Sequence, residues 1–159
     1  MRKNLEFVAL AVFAFLLWIT VSALYGTNSL PERIPIHFGV DGRPNGWGSP
    51  VGLWMMPAIV AVVYGGMTLV SRFPSAFNYP VRTTAENRAL LEAVTQRMIA
   101  WVKVEIVCLF TFIQWCVVQS AQQGRLILSP LVTPLFIGTI FVTIGWHFVA
   151  LFRAARPGS

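Results

Sequence analysis

Charge is what this chain has least of. Only 11% of its 159 residues are charged, with six acidic side chains and two histidines, while 56% are hydrophobic. An ordinary soluble domain has about 25% charged residues. Too few polar side chains are present to cover a water-facing globule, which excludes a soluble domain. Cysteine is scarce as well. Cys108 and Cys116 share one apolar run and, eight residues apart on a helix, stand about 12 Å from each other, too far for a disulfide. Both read as small buried hydrophobes. No His-Glu-x-x-His, Gly-x-Ser-x-Gly, P-loop or dinucleotide fingerprint occurs. The chain is therefore not expected to be an enzyme, and no catalytic residue, metal site or cofactor is assigned.

What the chain has is four apolar runs, at Leu5–Tyr25, Val51–Val70, Ile99–Gln119 and Leu131–Phe152. Each reaches the length of about 20 residues that a membrane span needs. Each must be a helix, because lipid offers no partner for backbone N–H and C=O groups. The apolar core of the first, Phe7 to Leu24, exceeds the about 7–15 residues of a signal-peptide core and reads as a span. The expected fold is an all-α membrane protein, a single domain over residues 1–159. It has four transmembrane helices, a structured outer loop at 26–50, and a cytoplasmic loop at 71–98 whose amphipathic helix leads into the third span.

The net charge of +6 sits at the ends of these runs. No basic stripe with interleaved aromatics is present, so the partner expected is the lipid bilayer and not nucleic acid. Arg2, Lys3, Arg72, Arg82, Arg88, Arg97, Arg153 and Arg156 fall on one side, against Arg33, Arg43 and Arg125 on the other. The positive-inside rule then puts both termini in the cytoplasm of a bacterial inner-membrane protein and residues 26–50 outside. Gly65 and Gly66, and Gly138 and Gly145, would allow close helix packing. Pro57 and Pro134 would kink their helices.

In the outer loop, Ile34, Ile36 and Phe38 alternate with Pro35 and His37, the pattern of a short extended segment. Asp41-Gly42 and Asn45-Gly46 read as turns, and Trp47 and Trp54 suit the headgroup level. Pro31, Pro35, His37, Phe38, Asp41, Gly42 and Trp47 are the candidate recognition residues. His37, Asp41 and Glu32 are too few for a metal site, and His37 is expected to bond the loop backbone. In the second loop, Thr83-x-x-Glu86 reads as a capping box. Leu90, Leu91, Val94 and Met98 follow on one helix face. Asn78, Tyr79, Asn87 and Arg88 form a candidate partner surface there.

Ionisable groups inside spans are costly and point to function. Glu105 in the third run and His147 in the fourth lie at similar depth and are expected to pair, as an interhelical clasp or a proton-responsive switch. Lys103 is expected to snorkel to the interface, and Gln114 to bond across helices.

Leu30-Pro31-x-x-Ile34-Pro35-x-His37-Phe38, followed by Gly42-x-Pro44-x-Gly46-Trp47, resembles the N-terminal membrane domain of unknown function in SdpI-like bacterial immunity proteins. Phe77-Asn78-Tyr79-Pro80 and Thr84-x-x-Asn87-Arg88 are similar to the segment those proteins carry after their second span. The resemblance covers roughly residues 5–100. It implies a non-enzymatic integral membrane protein that protects against a membrane-active peptide or signals its presence, some members holding a transcriptional repressor at the membrane. Two other roles fit the residues. One is an accessory subunit of a larger membrane complex, bound to other membrane protein subunits. The other is a small transporter with Glu105 and His147 along its path.

Overall fold

The apolar runs do fold as helices in the computed structural model, which describes residues 2–27, 30–39, 43–124, 129 and 131–155. The elements are α1 (Arg2–Tyr25), β1 (Ile34–Phe38), β2 (Pro44–Gly48), α2 (Met55–Val70), α3 (Arg88–Gln123) and α4 (Val132–Ala154). A 3₁₀ turn, Pro50–Trp54, leads into α2, and a second one spans Pro74–Ala76. Among the described residues four helices, α2 counted with its 3₁₀ turn as Pro50–Val70, are long and apolar enough to cross a membrane, which makes this a multi-pass membrane protein.

Helix α3 is the centre of the bundle. It packs against α1, α2 and α4, whereas α4 rests mainly on α3. It starts well before the expected third span, at Arg88 instead of Ile99, and its 36 residues run about 54 Å. The segment before the span is thus the same helix. It packs on the bundle itself, with Leu91 wholly buried against Leu151 and Ala154 of α4. The reciprocal bonds that open α3 fall one residue later than the expected box. Thr84 N donates to Asn87 Oδ1 (2.8 Å) and Asn87 N to Thr84 Oγ1 (3.3 Å). Gly124, at φ 63°, closes the helix in the left-handed conformation that glycine adopts without strain.

Pro57 and Pro134 kink nothing, because both lie in the first turn of their helices, where the missing N–H has no helical partner to lose. The glycines at 65, 66, 138 and 145 serve no close packing within the chain: a Cβ at any of them would meet nothing within 4 Å. They lie on outward faces, as do Phe141, Val142 and Trp146 of α4, which suits lipid.

Strands β1 and β2 pair antiparallel, Ile34 with Gly48, Pro35 with Trp47, His37 with Gly46 and Phe38 with Pro44. The register slips twice, so Ile36 and Asn45 have no opposite number. This bulge breaks the expected alternation. Ile34 and Pro35 are both buried, while Ile36 and His37 are both exposed. Asn45-Gly46, expected as a turn, is inside β2 instead. The reason is contact across the strands: a Cβ on Gly46 would stand 2.9 Å from that of His37. Asp41 and Gly42 lie outside the described residues. Two strands alone are marginal in water, and this pair is held by docking. Ile34 enters a cluster with Ile19 and Ala23 of α1, Leu53, and Val117, Val118 and Ala121 of α3.

Candidate functional site

The bundle carries polar chemistry at three levels. At the end where α1 starts, Lys103 is 1% exposed. It does not snorkel, because a side chain on this face of the central helix is enclosed by α1 and α2 and has no route to water. Its Nζ donates to the carboxylate of Glu6 and to Thr68 Oγ1 (3.2 Å), and it lies 4.7 Å from the centroid of the Tyr64 ring. Tyr64 donates its hydroxyl to the other Glu6 oxygen (2.6 Å). Both carboxylate oxygens are therefore engaged, and α1, α2 and α3 are tied through one neutral cluster. Glu6 was not singled out from the sequence. The signal was available: a carboxylate just inside the first apolar run, near the depth of a lysine in the third.

Glu105 and His147 come to one place but do not bond each other. Thr143 stands between them. Its hydroxyl donates to Glu105 Oε1 (2.5 Å), and its carbonyl accepts from His147 Nδ1 (2.8 Å). That second bond leaves Nε2 as the remaining ring nitrogen for any other partner. Glu105 Oε2 is buried without a hydrogen-bond partner among the described residues. The three side chains line a cavity of about 470 Å³ between α3 and α4, with Arg97, Trp101 and Trp146 at its walls.

Further toward the hairpin, Gln114 does bond across helices. Leu53, in the 3₁₀ turn before α2, presents its carbonyl toward α3. Gln114 Nε2 donates to that carbonyl (2.9 Å) and to Thr20 Oγ1 (3.0 Å), and Thr20 in turn donates to Leu16 O (2.9 Å). Gln114→Leu removes both interhelical bonds. It is expected to lower stability by about 1–3 kcal/mol, read as an earlier melting transition in detergent. An unchanged transition would mean that these bonds add nothing.

At the hairpin, His37 Nδ1 donates to Asn45 Oδ1, the side chain of a bulged residue, instead of to backbone. Arg33 Nη2 reaches the carbonyl of Trp47 (3.4 Å). His37 and Trp47 are exposed, Pro31 is exposed, Phe38 is half-buried and Pro35 is buried. Pro35 and Phe38 thus anchor the hairpin, and His37 and Trp47 are the members of the set that a ligand could touch. The second set divides similarly. Asn78 is exposed, and Arg88 is exposed beside Glu92 (3.1 Å). Asn87 is occupied in opening α3. Tyr79 packs against the Leu91–Leu151 cluster and edge-on to Phe77. Burial, with the Glu92 carboxylate adding to it, pushes the Tyr79 phenol above its ordinary range. Among the described residues, no group of three or more His, Cys, Asp or Glu could hold a metal ion.

A family of domains of unknown function, DUF1648, matches residues 10–61, which take in most of α1, the hairpin and the start of α2. An uncharacterized protein of Archaeoglobus fulgidus is 32% identical over 88 residues, 50% of this chain and 44% of the relative. The chain thus spans less than half the length of that curated relative. No solved structure matches.

Proposed function

We propose that the protein acts by binding, without chemistry of its own. Its hairpin recognises a peptide that reaches the membrane surface, and the protein protects the bilayer from that peptide or signals its presence, as the SdpI-like immunity proteins it resembles do. The observation that carries this reading is the anchored hairpin. Ile34 and Pro35 fix it to the bundle, His37 and Trp47 are held outward, and each strand leaves one edge without a strand partner among the described residues. Such an edge can accept an extended peptide by main-chain bonding, with neighbouring side chains adding selectivity. The family match centres on this same segment. The excess of Lys and Arg at the opposite end supports an orientation with the hairpin outside and that end in the cytoplasm of a bacterial cell.

Cells expressing the protein are expected to survive membrane-active peptides at several-fold higher concentrations than cells without it. His37→Ala and Trp47→Ala should abolish most of that gain at equal protein levels in the membrane. If the unmodified protein gives no protection against any such peptide, the reading fails.

A second reading, an accessory subunit, is supported by α4, which packs mainly on α3 and leaves Phe141, Val142 and Trp146 exposed. A stoichiometric protein partner after mild-detergent purification would favour it. Transport has less support, because Gln114 is engaged with Thr20 and Leu53 and does not extend the Glu105 cavity.

A further inference from the structure

A second cavity, of about 740 Å³, opens at the end where α1 starts, between α1 and the end of α2. Its size is within the range of about 300–1,000 Å³ common to small-molecule sites. Arg2, Lys3 and Arg72 line it, with Glu6, Phe7 and Leu10. Glu6 offsets these cations only in part: it attracts Arg2, but Lys103 and Tyr64 take both its carboxylate oxygens. Among the described residues neither Lys3 nor Arg72 meets a carboxylate. The nearby hydroxyls are not the donors: Thr68 already donates to Tyr64 O (2.7 Å) and Ser71 to Thr68 O (2.8 Å). Arg2 gives one N–H to Gln96 (2.6 Å), and a guanidinium has five. The first-turn N–H groups of α1, which have no partner inside the helix, lie at this end too. What remains is a concave site rich in donors and in positive charge.

We propose that this cavity binds the headgroup of an anionic phospholipid from the surrounding leaflet. Two features select a lipid over a free phosphate. The site sits at the end of helices long and apolar enough to cross a membrane, where headgroups are expected. Phe7 and Leu10, 73% and 51% exposed, continue its wall along the outward side of α1, where acyl chains run. Three cations select net negative charge, because the ammonium of a zwitterionic headgroup would face them unfavourably.

The test is native mass spectrometry of the full chain, released from detergent after incubation with phosphatidylglycerol or phosphatidylcholine. Phosphatidylglycerol should be retained and phosphatidylcholine lost. The triple variant Arg2→Gln, Lys3→Gln, Arg72→Gln should weaken retention by about tenfold or more. Arg72→Gln alone, at an exposed position, should weaken it by several-fold with an unchanged melting transition. Arg153→Gln, a cation at the same end outside the cavity, should leave it unchanged. Equal retention of the two lipids overturns the proposal, as does an equal loss in Arg153→Gln. Displacement of the lipid by millimolar inorganic phosphate would reassign the site to a free anion and overturn it too.

Discussion

Lys103→Met is expected to destabilise the bundle by about 3 kcal/mol, the lower part of the range for removing one partner of a buried ion pair. The damage comes mainly from what the substitution leaves behind. Glu6 keeps the Tyr64 hydroxyl and the charge of nearby Arg2 but loses the cation that bonds it, on a helix face turned toward α2 and α3. Its side chain is 29% exposed, so water relieves part of the loss, which is why the lower figure applies. At about 2–4 °C per kcal/mol for a chain of this size, the melting transition in detergent should fall by about 10 °C. The double variant Glu6→Gln, Lys103→Met should recover most of that, because a neutral pair needs no counter-charge. A single variant melting with the unmodified protein would show that the cluster is incidental. A double variant no better than the single would show that the packing of the lysine stem matters, and not its charge.

The four spans were legible because lipid imposes its demand locally. About 20 consecutive apolar residues are needed whatever the neighbours are, and the sequence shows this without any knowledge of packing. Most of the misread features depended on what stands opposite a residue in the fold. Lys103 was expected to reach water, as a lysine near a helix end does on a lipid-facing side. Its actual face is enclosed only because α3 stands between α1, α2 and α4. From their similar depth Glu105 and His147 were expected to pair; they line one cavity without bonding each other. Depth says nothing of rotation, and Thr143 takes the position between them. Asn45-Gly46 has the composition of a turn. Its place in β2 follows from the side chain opposite, and a cross-strand partner is invisible in a single segment. Pro57 was expected to kink α2 and does not, because the helix starts only two residues before it and a proline fits the first turn.

Ile34→Ala should have the other large effect, and it should be confined to the hairpin. Ile34 is 0% exposed, in a cluster with side chains from α1 and α3. Truncating a buried isoleucine costs about 2–5 kcal/mol. The four helices keep their own contacts, so the loss should fall on the docking of β1 and β2, which two strands cannot replace by pairing alone. Hydrogen exchange of backbone amides in residues 34–48 should then quicken by about thirtyfold or more, while amides in the middle of α3 stay protected. Ile36→Ala, at a bulged and 39% exposed position, provides the contrast and should change exchange by less than about threefold. Exchange in Ile34→Ala that matches the unmodified protein would mean that the hairpin stands without this anchor. The same variant bears on recognition, since it leaves His37 and Trp47 chemically intact. If those residues bind a peptide only when fixed on the bundle, Ile34→Ala should lose protection as fully as His37→Ala does. Retained protection would place recognition in a hairpin that folds on its ligand.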